Sequence, residues 1–149
     1  MSKVEIVPFK SEHAKKILEL GMNEPALELK PEHHQYIVNF GTIGMSFTGT
    51  VNNVPIAAGG VHHLWDNVAE GWVIGSKLIW KYPITFGRAI KIRTDYLATN
   101  NNIKRIQTGV KADCKKAIRF AEWLGFKREG LMKKYGPDGS DYYLYAKVY

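Results

Sequence analysis

Residues 104–149 read KRIQTGVKADCKKAIRFAEWLGFKREGLMKKYGPDGSDYYLYAKVY, and the order of elements in this stretch decides the fold. Apolar and polar residues alternate from Ile103 to Val110, which predicts a short strand running into a turn. Asp113 then stands where its carboxylate can accept from the open N–H groups of a first helical turn. Ala117, Ile118, Ala121 and Leu124 recur at helical spacing, with Lys115, Lys116, Arg119 and Glu122 assigned to the opposite, solvent face. Gly125 stops the helix. Residues 126–131 and 142–148 predict two further strands joined by the polar turn Gly136-Pro137-Asp138-Gly139.

Working outward, residues 3–9 predict a strand ended by Pro8, followed by a helix capped by Ser11, carrying Ala14, Ile17, Leu18 and Leu20, and closed by Gly21. A second helix is expected to start near Pro31 and to carry His33, His34, Tyr36, Ile37 and Phe40. Residues 45–51 and 55–64 read as a hairpin turned at Asn52-Asn53. The small run Ala57-Ala58-Gly59-Gly60 admits either a closely approaching ligand or a tightly packed sheet. Residues 68–75 should form the central strand, and a helix should run from about Pro83 through Leu97.

The order strand, helix, Leu124-Gly125-Phe126 corner, strand, turn, strand resembles the C-terminal half of the GNAT N-acetyltransferases. With the upstream order added, the resemblance covers nearly the whole chain. More narrowly, the chain looks like small GNAT-like proteins of tailed phages, some of them internal virion or core proteins. The resemblance implies one α/β (α+β) domain over residues 1–149, a mixed, mostly antiparallel twisted sheet of about six or seven strands flanked by about four helices. It implies acetyl-CoA as donor and an amine acceptor of unknown identity. Val73, Ile74 and Gly75 would lie along the pantetheine arm, where the central strand splays from its parallel neighbour. Lys81, Thr85, Phe86, Gly87, Arg88 and Asp113 would complete the cofactor site, and Glu70, with His62 and Tyr135, would carry catalysis.

Two features depart from that family. The glycine-rich phosphate loop is replaced by SKLIWKYPITFGR over residues 76–88, with Ile84 and Phe86 in the glycine positions. The tyrosine that protonates the departing thiolate in many relatives corresponds to Ala121, and the asparagine that often opens the same helix corresponds to Asp113. Tyr135, Tyr142 and Tyr143 are the candidate replacements. These losses leave open a second function: a catalytically degenerate GNAT-fold scaffold or adaptor among phage structural proteins, with Trp65, Trp80 and Trp123 as anchors.

Composition sets outer bounds. The net charge is +7, from 21 Lys and Arg against 14 Asp and Glu, and suits a polyanionic partner such as the phosphates of coenzyme A. The cations are scattered over several elements, so nucleic-acid binding is not favoured. A single cysteine, Cys114, excludes an internal disulfide and a Cys-based zinc cage. Adjacent His33 and His34 cannot make an i,i+4 metal pair, and no metal site is expected. No run approaches a membrane span, and the expected location is the cytoplasm, that of the host for a phage-encoded chain.

Overall fold

The computed structural model describes residues 2–21 and 45–149. Seven strands build one sheet: β1 (Val4–Pro8), β2 (Ser46–Val51), β3 (Val54–Trp65), β4 (Val68–Gly75), β5 (Arg105–Lys111), β6 (Lys127–Met132) and β7 (Tyr142–Val148). Their order is β1-β2-β3-β4-β5-β7-β6, antiparallel throughout except for the β4–β5 pair. Three α-helices are present among the described residues: α1 (Ser11–Glu19), α2 (Pro83–Asn100) and α3 (Lys115–Trp123), with a 3-10 turn over Lys77–Lys81. The helix expected near Pro31, with His33 and His34, lies outside the described residues.

Strand periodicity places the helices. On one face Val61, Ala69, Ile106 and Val110 meet Leu97 and Ala98 of α2, Ala121 of α3 and Leu124 at its C-cap. On the other, Ala58, Trp72 and Ile74 meet Ala14 and Ile17 of α1. The central strands thus bury side chains on both faces, whereas β6 is exposed along most of its length, and a completely buried Ile106 or Ile17 contributes about 1.5–3 kcal/mol relative to exposure.

Turn chemistry matches the residues supplied. Asn52 and Asn53 both take positive φ, 50° and 67°, the pair of left-handed conformations that a two-residue hairpin requires. Gly125, at φ +97°, closes α3: its N–H donates to Glu122 O and that of Phe126 to Ala121 O, both at 3.0 Å. This is a Schellman closure. Leu124 and Phe126 flank it and are buried, so the Leu-Gly-Phe corner turns the chain while keeping its apolar residues in the core.

Both expected caps move by one residue. Lys10, not Ser11, is the N-cap of α1, and His13 Nδ1 receives the Lys10 N–H at 3.1 Å. Cys114, not Asp113, is the N-cap of α3, because Asp113 turns toward Lys111 Nζ, 3.7 Å away. Within the run Ala57-Ala58-Gly59-Gly60 both glycines are needed by the sheet, and all four residues also line the larger cavity described below. A Cβ at Gly59 would stand 2.8 Å from Trp72 O, and one at Gly60 would overlap the Met45 carbonyl.

Candidate functional site

The site begins where two parallel strands part. β4 stays paired with β3 to Gly75, and β5 stays paired with β7 to Lys111. They pair with each other only at Val68↔Arg105, Ala69↔Ile106 and Glu70↔Gln107. Beyond that point the facing edges of residues 71–75 and 108–111 make no ladder with each other. Main-chain N–H and C=O groups along such a gap suit a ligand that carries amides of its own. Gly71 stands at the fork, where a Cβ would come within 3.2 Å of Ile106 Cγ2.

A cavity of about 620 Å³ fills the space between the gap and the helices α2 and α3. Its wall is apolar, with Phe86, Ile90, Leu97, Phe120 and Leu124, and it carries four cations, Arg93, Lys111, Lys116 and Arg119. Because β4 and β5 run parallel, the helices that follow them both start at the edge where the strands separate, as ligand crevices in open α/β sheets do. Lys116 Nζ of α3 lies 4.8 Å from the ring centre of Trp80, in the 3-10 turn that leads into α2. The two helix starts therefore adjoin at the cavity's mouth.

The α2 N-terminus is narrower than a glycine loop. Pro83 has no N–H, and Phe86 N–H is taken by Tyr82 O at 3.1 Å, which leaves Ile84 and Thr85 N–H without a backbone partner among the described residues. The Phe86 ring turns inward against Gly49 and packs with Val51, Ile56 and Ala57. Of the residues nominated for the cofactor, Val73, Ile74, Phe86 and Gly87 line the cavity. Gly75 is buried at the strand end, while Lys81, Thr85 and Arg88 are exposed and lie outside the lining, as does Asp113. The lining cations Lys116 and Arg119 were read from sequence as the solvent face of α3. Three residues apart, they share a helix face, and that face rims the cavity.

A second cavity of about 400 Å³ lies on the α1 face of the gap and is lined by His62, Glu70 and Tyr135. Both cavities are lined by Gly71, Trp72, Val73, Thr108 and Gly109, so they meet at the fork. His62 and Glu70 are direct cross-strand partners, which puts an imidazole and a carboxylate side by side on one face. Tyr135 reaches the site from the β6–β7 connection, lying against Gly109, where a Cβ would be 3.2 Å from Tyr135 Cε1. Burial first, and then the Glu70 charge, hold its phenol above the ordinary value, so it keeps its proton at neutral pH. The sequence nominated these three residues from separate elements, and the fold brings them to one cavity. Among the described residues, no group of three or more His, Cys, Asp or Glu is placed to hold a metal ion.

No family model matches the sequence, and no curated protein matches it. Solved structures do match in fold. Ard1 from Thermoplasma volcanium superposes with a TM-score of 0.77 at 15% identity, covering 97% of each chain. A GNAT-family acetyltransferase from Bacillus anthracis gives 0.69 at 18% identity, covering 97% of this chain and 94% of its own. RimJ from Mycobacterium smegmatis, in complex with CoA-disulfide, gives 0.67 at 15% identity over 97% and 81%. The fold is that of the GNAT acetyltransferases, and identities this low carry the fold alone.

Proposed function

We propose that this chain is an N-acyltransferase that takes an acetyl group from acetyl-CoA and delivers it to an amine. The carrying observation is the parting of β4 from β5 immediately beyond Glu70, with a cavity on each face of the sheet meeting at the fork. An amide-bearing arm fits the gap, and the cations at the mouth of the larger cavity suit phosphates. When bound, acetyl-CoA supplies a thioester as acyl donor.

The chain's own groups divide the remaining work. The main chain from Val73 to Gly75 orients the arm, and the apolar wall excludes water from it. Glu70, or its neighbour His62, takes the proton that the amine nitrogen loses as its bond to the acyl carbon forms and the carbon–sulfur bond breaks. The Tyr135 phenol gives a proton to the leaving sulfur. It thereby occupies the role that Ala121 cannot fill, from the opposite side of the fork. The sequence also allowed a degenerate phage scaffold, on the strength of two lost motifs together with the resemblance to phage proteins. The fork belongs to the fold and would survive in a scaffold, whereas a carboxylate, an imidazole and a phenol gathered in one cavity beside it favour chemistry.

Calorimetric titration with acetyl-CoA, followed by thiol-release assays against a panel of protein and small amines, tests the proposal. Micromolar binding, about −8 kcal/mol, with amine-dependent thiol release is expected. No heat at millimolar ligand, or binding without turnover on any amine, would favour the scaffold.

A further inference from the structure

We infer that Lys116 and Arg119 hold the phosphate-bearing end of the donor, in place of the glycine loop that the chain lacks. This assignment rests on the acyl-CoA reading above and concerns residues that the sequence assigned to solvent. Four cations line the larger cavity. Lys111 and Arg93 are half-buried, Lys111 beside Asp113 and Asp138 at 3.7 and 4.0 Å and Arg93 over the Phe47 ring at 4.7 Å. Lys116 and Arg119 are exposed at the mouth, three residues apart on one face of α3.

The amide alternative is poor here. Proline at the first helical position and the commitment of Phe86 N–H leave two open amides at the start of α2, and the Phe86 ring is locked beneath Gly49. Arginine and lysine side chains can reach an anion that bulky residues keep away from the main chain. Lys116 now rests on Trp80 across the mouth. Donor entry therefore exchanges a cation–π contact for a phosphate contact and uncovers the Trp80 face, against which a purine can stack.

The test is the calorimetric Kd of acetyl-CoA for the full chain, for Lys116→Met and Arg119→Met, and for a Lys81→Met/Arg88→Met double variant. Methionine keeps the apolar stem of each side chain, and the thermal midpoint of every variant confirms folding. The α3 variants should each lose tenfold or more in affinity, with Arg119→Lys recovering most of it, and their affinity should depend less on salt than that of the parent. The Lys81/Arg88 pair should change it by less than threefold. Unchanged affinity in the α3 variants, beside a large loss in the Lys81/Arg88 pair, would overturn the assignment and leave the donor reading standing. Failure of the unsubstituted chain to bind acetyl-CoA removes both.

Discussion

At the scale of single residues, the proposed proton donor Tyr135 offers the sharpest test. Its phenol is held neutral by burial and by Glu70, and it lies against Gly109 beside the fork. Tyr135→Phe removes one hydroxyl from a half-exposed ring, so stability should hold within about 0.5 kcal/mol. The turnover number should fall by about 10²-fold, the lower end for a lost general acid. Equal turnover in the variant would return that role to water. His13 offers a separate test through pH. Its Nδ1 lies 3.1 Å from the Lys10 N–H donor and 2.9 Å from Thr48 Oγ1, and burial above all lowers its pKa. The folded chain thus prefers the neutral ring, and the unfolded chain binds the proton more readily. This contribution is complete above the unfolded value of about 6.5 and is lost as pH falls through the lower folded value. Urea midpoints of the parent should decline between pH 7.5 and 5 more steeply than those of His13→Gln.

At the scale of elements, the corner after α3 is both the most legible and the most constrained. The Leu124-Gly125-Phe126 order was readable because only glycine takes φ +97° without strain. Gly125→Ala should cost about 1–2 kcal/mol from the left-handed conformation alone. The new methyl would also press on Lys147 Cε at 3.1 Å, and Lys147 Nζ is bonded to Leu124 O and Asp95 Oδ1. A thermal midpoint within one degree of the parent would show that the corner is not under this constraint. The helix caps were less legible. Asp113 is a good cap in isolation, and sequence cannot show that Lys111 claims its carboxylate first. The cavity-facing side of α3 was missed for a related reason. Charged residues usually face water, and only the parting of the strands opens a cleft along the rim where Lys116 and Arg119 stand.

At the scale of the molecule, the seven strand segments followed from alternation and turn chemistry, whereas their order in the sheet and the face each helix covers came only with the structure. The widths of the cavities did not, because they depend on how far β4 and β5 diverge after a three-residue ladder. That short ladder also has a mechanical meaning. The sheet is two plates, β1-β2-β3-β4 and β5-β7-β6, joined by three rungs at one end, as in a hinged book. Such a joint should breathe, and amides of residues 108–111 that face the gap should exchange hydrogen faster than amides of the same strand that face β7. A donor lying in the gap would act as the missing rungs. On ligand addition the slow-exchanging core should extend across both plates, so the energy of binding would appear partly as stiffness of the sheet.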